Sequence, residues 1–118
     1  IYTASSRSLA ALEIVVHTSN TDLLTKYVIL SIEFPDKFVT TITRSDLPGD
    51  WRDSPAPSRL QEIGDDWLSN MTSAVLAVPS VIIPEEKNYL LNPAHRDFSI
   101  LRLTSPLRFE FDGRLASR

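Results

Sequence analysis

Apolar and polar positions alternate with different periods along this chain, and the periods predict its elements. Leu9 to Val16 is apolar at every position except Glu13. That density predicts a helix packed on more than one side. Ser5 and Ser6 stand where an N-cap belongs, and His17 falls in the last turn, where a cation complements the helix dipole. Ile1 to Ala4 is β-prone and reads as the last residues of a strand. Lys26 to Phe34 is rich in β-branched and aromatic residues and predicts a strand, with a turn at Pro35-Asp36. Phe38 to Thr43 predicts a second strand at a sheet edge. From Ser58, the Ser58-Arg59-Leu60-Gln61 pattern of a capping box opens a helix. Leu60, Ile63, Trp67 and Leu68 form its apolar stripe, and Asp65 and Asp66 its solvated face. Ala74 to Val78 predicts a buried strand that Pro79 ends, since proline cannot donate to a ladder. Pro84 keeps the next segment extended, Tyr89-Leu90-Leu91 pins this loop to the core, and Asn92-Pro93 turns the chain. Phe98 to Leu103 and Leu107 to Phe111 read as strands, the second with Leu107, Phe109 and Phe111 on one side. Gly113 to Arg118 reads as a frayed tail.

Two polar residues break this pattern. Glu13 shares a helix face with Leu9, Leu12 and Val16. A carboxylate in such surroundings is paired, protonated or directed into a cleft, because an unpaired buried charge is costly. The alternative is a narrow exposed stripe; the apolar character nearly all round the run favours the cleft. Ser80 presents a hydroxyl at the end of the predicted buried strand, a place where a rigid scaffold can hold a ligand. From spacing alone, a hydroxyl that caps a backbone group is the simpler reading.

Composition narrows the chemistry. The 118 residues fit one domain, and 42% hydrophobic content is enough for a packed core. No apolar run approaches the roughly 18 residues that span a bilayer. A net charge of −3 disfavours direct nucleic-acid binding. There is no cysteine, which fits a reducing, cytoplasmic setting. Only His17 and His95 are histidines and they lie far apart, so no metal is expected. Glycine occurs only at positions 49, 64 and 113, none in a strand-to-helix turn, so there is no glycine-rich phosphate loop. No Gly-x-Ser-x-Gly elbow occurs either.

Three stretches, in this order and at these separations, resemble the RES domain, the toxin of a bacterial toxin–antitoxin pair. They are Tyr2-Thr3-Ala4 followed by Leu12-Glu13-Ile14-Val15-Val16-His17, then Leu47-Pro48-Gly49-Asp50-Trp51, then Val78-Pro79-Ser80 through Asn92-Pro93. The resemblance covers nearly the whole chain. The family is named for an Arg, a Glu and a Ser; Glu13 and Ser80 match the last two. The Arg belongs to a Gly-Arg-Trp-type segment upstream of the position of Tyr2, so positions 1–118 are expected to be a RES domain lacking its N-terminal segment. Arg7, on the other side of Tyr2, is a poor substitute.

The resemblance implies a mixed α+β fold similar to ADP-ribosyltransferases, with small sheets around an NAD⁺ cleft. It implies cleavage of the nicotinamide–ribose bond, with NAD⁺ as substrate and no cofactor. Glu13, Tyr2 and Ser80 would be catalytic, and Tyr2, Ser80 and Asn92 would bind substrate. Glu13 would stabilise an oxocarbenium-like ribose, and Tyr2 would stack on nicotinamide. Implied partners are an Xre-type antitoxin covering the active site and a second copy in a homodimer. Two other readings stand beside this one: transfer of ADP-ribose to a protein, and an inactive module that only binds the antitoxin.

Overall fold

The computed structural model describes residues 1–18 and 26–116, the side chain of Ala116 excepted. Its centre is a four-stranded sheet. Strand β1 is Tyr2–Ala4, β4 is Val39–Thr41, β5 is Val75–Pro79 and β6 is Lys87–Leu91. They lie in the order β1-β6-β5-β4. β6 runs antiparallel to both β1 and β5, while β4 pairs parallel with β5 at the edge, as the sequence predicts for that strand. Two short ribbons complete the β-structure. β2 (Tyr27–Ile29) pairs with β8 (Leu107–Phe109), and β3 (Ile32–Glu33) with β7 (Arg102–Leu103). The architecture is therefore mixed α+β with small sheets, compatible with an ADP-ribosyltransferase-like fold.

Helix α1 (Arg7–His17) follows β1 directly, and α2 (Ser58–Ser69) precedes β5. The N-cap of α1 is Ser6, whose hydroxyl accepts from the Leu9 N–H. Pro57 takes the N-cap of α2 with no side-chain bond, so the capping box at Ser58 does not form. Proline at the cap shifts Ser58 into the first helical position, where its hydroxyl cannot reach back over the turn. Trp67 is the buried anchor of α2, its Nε1 donating to Ser73 Oγ at 2.9 Å; Asp65 and Asp66 are exposed.

Alternation along the sheet sorts its side chains into two faces. Tyr2, Leu90 and Leu76 are level in the register and share the face of α1, because the Tyr2 hydroxyl reaches that helix. On the other face, Val75 and Leu91 join Ala74 and Leu101 in a core covered by Phe34, Val39, Tyr89 and Phe98. Phe34 meets Tyr89 edge to face with ring centroids 5.4 Å apart.

Four segments depart from the sequence reading. Lys87–Leu91, expected as a pinned loop, is a strand in the middle of the sheet. The long strand expected over Lys26 to Phe34 is broken into β2 and β3 at Leu30-Ser31. Arg96–Ile100 is a 3₁₀ turn rather than the start of a strand, because the His95 imidazole accepts from the Asp97 N–H and caps it. Gly113–Ala116 forms one short helical turn, α3, where a frayed tail is expected; the last two residues of that tail lie outside the described residues.

Candidate active site

The site begins with the short connection between β1 and α1. Ser5 and Ser6 reverse the chain, so α1 returns alongside β1 and brings Glu13 opposite Tyr2. The Tyr2 hydroxyl donates to Glu13 Oε1 at 3.2 Å. The other carboxylate oxygen, Oε2, lies 3.6 Å from His17 Nε2, one helical turn on. Glu13 is the enclosed member: its side chain is 12% exposed, against 75% for His17. On the same helix Leu12 and Val16 face solvent, Val16 at 59%. The helix thus turns a charge inward and two apolar side chains outward, the reverse of the usual arrangement. Its enclosed carboxylate is not left alone, because a phenol and an imidazole bracket it.

The effect on Tyr2 is electrostatic. Partial burial, then the charge of Glu13, then the hydrogen bond to it, all hold the phenol well above the ordinary tyrosine range. Tyr2 therefore stays a neutral donor throughout the physiological range. Tyr2 as a whole is more than half exposed.

Ser80 lies at the opposite end of the sheet. Leu76 is level with Tyr2, and Ser80 is four residues further along β5. At about 3.3 Å per residue the offset along the strand is about 13 Å. Ser80 is fully buried, and its Oγ accepts from the N–H groups of both Ile82 and Ile83 at 3.1 Å. The hydroxyl closes the turn that starts the 81–86 loop. That loop is held from several directions. Arg52 Nε donates to the Val81 carbonyl at 2.9 Å, the Ser6 hydroxyl donates to Glu86 at 3.1 Å, and Arg44 lies 3.7 Å from Glu85. Ser6 also caps α1, so the 81–86 loop and the Glu13 helix share one side chain. Arg52 directly follows the Leu47–Trp51 stretch and ties the chain there to the 81–86 loop.

Asn92 is also buried. Its Oδ1 accepts from the Ala94 N–H at 3.0 Å, and its Nδ2 donates to Met71 Sδ at 3.3 Å. Asn88, 1% exposed, donates from Nδ2 to the Thr3 carbonyl and ties β6 to β1 beside Tyr2. The structure thus brings Tyr2 and Glu13 together. Ser80 shapes a loop joined to the same helix, and Asn92 follows Leu91 at the end of β6 where Leu90 pairs with Tyr2, its side chain bonded to Ala94 and Met71. The member missed in the sequence is His17. The i, i+4 spacing from Glu13 was the signal for it, where only the helix dipole was read. Arg7 is exposed.

Two concavities lie elsewhere. One of about 250 Å³ is lined by Phe34, Thr41, Ala77 and Tyr89 among others, and one of about 450 Å³ by Met71, His95 and their neighbours. Neither includes Tyr2, Glu13 or His17. Among the described residues β1 is an edge strand of its sheet, and the Tyr2–Glu13 pair stands at that edge. Among the described residues no group of His, Asp and Glu could hold a metal, and no helix is long and apolar enough to cross a membrane.

Fold and site together define the class: a mixed α+β chain of small sheets whose first helix holds an enclosed carboxylate against an open tyrosine. The chain belongs to the RES domain family, whose pattern matches residues 1–112. It is 42% identical over 116 residues to the protein named Toxin Res of Yersinia enterocolitica, covering 98% of this chain and 76% of that one. With Toxin Res of Photorhabdus laumondii the identity is 40%, over 98% of this chain and 74% of that protein. A Sphingobium protein named Prs ADP-ribosylating toxin is 37% identical over 98% of this chain and 73% of its own length.

Proposed function

We propose that the chain is a RES toxin that breaks the nicotinamide–ribose bond of NAD⁺. The observation that carries this reading is the Glu13 carboxylate, 12% exposed and held between the Tyr2 hydroxyl and His17. In the reaction the C1′–N bond breaks and its electron pair leaves with nicotinamide, whose ring nitrogen loses its positive charge. The ribose becomes oxocarbenium-like, and an oxygen nucleophile then forms the new bond at C1′. Water gives ADP-ribose, and phosphate gives its 1-phosphate. A fixed carboxylate beside the ribose opposes the developing positive charge without reorganising. Tyr2 fixes one oxygen of that carboxylate and would stack on the nicotinamide. His17 Nε2 lies 3.6 Å from the other oxygen. Ser80 acts through the 81–86 loop, whose fixed backbone would form the far wall of the cleft; direct contact between its hydroxyl and substrate would need that loop to open. The Arg that the family places upstream of Tyr2 would hold the pyrophosphate bidentately. An Xre-type antitoxin and a second copy of the chain are the partners that the family membership suggests.

A second reading, transfer of ADP-ribose to a protein, is favoured by the name of the Sphingobium relative. It uses the same bond cleavage and differs only in the acceptor. Incubation of the full-length protein with NAD⁺ labelled in the adenosine separates the two. Free ADP-ribose or its phosphate is the outcome expected for degradation. Label retained on denatured protein is the outcome expected for transfer. Intact NAD⁺ after prolonged incubation with properly folded protein would refute both.

A further inference from the structure

The concavity of about 450 Å³ lies away from the Tyr2–Glu13 site and has a chemistry of its own. It opens where α2 ends, where β5 begins and where the chain leaves β6. Phe38, Met71, Ala74 and Ala94 give it an apolar floor, and its volume falls within the range of small-molecule sites. Lys37 and Arg96 stand on its wall with one carboxylate, Asp97, so it holds one net positive charge on a chain of net charge −3. Both cations are exposed: Lys37 Nζ lies 5.2 Å from the centroid of the Phe38 ring, and Arg96 makes only a loose 3.9 Å approach to Asp97. The other Asp97 oxygen lies 3.7 Å from His95 Nδ1.

His95 supplies the pointer to a ligand. Its side chain is 10% exposed, and Nδ1 accepts from the Asp97 N–H at 3.0 Å. That bond assigns the ring proton to Nε2, so Nε2–H is a donor. Among the described residues Nε2 has no hydrogen-bond partner, and none of their buried side-chain polar atoms is left unsatisfied, so Nε2, on a ring that lines the concavity, is open to solvent. The rim carries a second unusual feature. Met71 has φ 49°, the left-handed conformation that glycine usually takes at a helix C-terminus. Its N–H bonds the Leu68 carbonyl, and the next N–H bonds that of Trp67, as in a Schellman cap. Strain of this kind persists where the surroundings fix it, and Met71 is itself one of the lining residues.

We propose that this concavity binds a phosphate group carried on a small organic molecule. Two separated cations and an accessible N–H donor on a largely buried ring suit a multiply charged oxyanion, and the apolar lining with its adaptable thioether suits an attached organic body.

The test titrates isotope-labelled full-length protein with phenyl phosphate, inorganic phosphate and phenol, followed by NMR. Phenyl phosphate should shift the backbone signals of Thr72, Ala74 and Ala94 and the His95 Nε2 signal, and bind at least tenfold tighter than phenol. The Lys37→Gln/Arg96→Gln pair, both on exposed positions, should weaken phenyl phosphate at least tenfold and leave phenol unchanged. Asp97→Asn should tighten it by removing a like charge. Tighter binding of phenyl phosphate than of inorganic phosphate would support an organophosphate ligand, and equal binding would overturn the organic body in favour of free phosphate. Shifts scattered over other surface cations, or equal binding of phenol and phenyl phosphate, would overturn the proposal altogether.

Discussion

Replacing Ser80 with Ala separates a residue that shapes the site from one that touches substrate. The hydroxyl accepts from two backbone N–H groups, those of Ile82 and Ile83, both at 3.1 Å, and is itself fully buried. Alanine removes one oxygen, leaves almost no cavity, and strips both donors of their acceptor. Ile82 and Ile83 are only partly buried, so water can replace part of what is lost. Unmade bonds of this kind cost about 1–3 kcal/mol in total. For a chain of this size that lowers Tm by roughly 4–12 °C. The loop keeps its outer ties through Arg52, Arg44 and Ser6, so the fold survives while the start of the loop loosens. Hydrogen exchange should therefore accelerate at the Ile82 and Ile83 amides, while Leu76 and Leu90 in the sheet keep their protection. NAD⁺ turnover should fall mainly through KM. A fall of a hundredfold or more in kcat, with Tm and both amides unchanged, would refute this account and give Ser80 a direct role in the chemistry.

Other predictions follow from the same geometry. Glu13→Gln keeps the shape and removes the charge; turnover should fall by roughly 10²–10³, with Tm moving by only a few degrees because the His17 partner is largely exposed, and full turnover would sink the assignment of Glu13. Tyr2 should ionise well above the ordinary phenol range, seen as a late step in the ultraviolet pH titration that Tyr2→Phe abolishes and Glu13→Gln moves part of the way back. Since the folded-state value is raised, the associated stability is present below about pH 10, the unfolded tyrosine value, and is lost as pH rises beyond it toward the folded value, which denaturant melts across that window would register. Met71→Leu should lower stability by removing the sulfur acceptor of the buried Asn92 amide, and Met71→Gly should be more stable than Met71→Leu by about 1 kcal/mol, because glycine adopts φ 49° without penalty. A Leu variant equal to or above the Gly variant in Tm would refute the strain at that turn.

The elements legible in the sequence were those whose pattern depends on near neighbours. The apolar run around Glu13, the stripe ending in Trp67 and the β-branched Ala74–Val78 run each announce themselves within a few residues. β6 did not, because Lys87 and Asn88 disguise it: asparagine is disfavoured in strands, and Asn88 belongs there only because its amide finds the Thr3 carbonyl, 85 residues away in sequence. Arg96–Ile100 misled for a related reason, since a histidine acting as a cap has no pattern in the chain. In the site, Glu13 was conspicuous as a charge in the wrong company. That Tyr2 meets it was not readable from periodicity, because the contact depends on how tightly Ser5 and Ser6 reverse the chain.

The placement of Tyr2 also bears on when during synthesis the site comes into being. Tyr2 lies opposite Leu90, and among the described residues β1 pairs with β6 alone. A chain still on the ribosome holds the sequence of Tyr2, Glu13 and His17 before the strand that β1 docks against, Lys87–Leu91, has been made. At the usual rate of about 5–20 residues per second, some 75 residues separate the translation of Glu13 from that of β6, a delay of several seconds. For a cell making a relative of proteins named as toxins, this interval is a period in which the growing chain carries Tyr2 and Glu13 without the framework that aligns them.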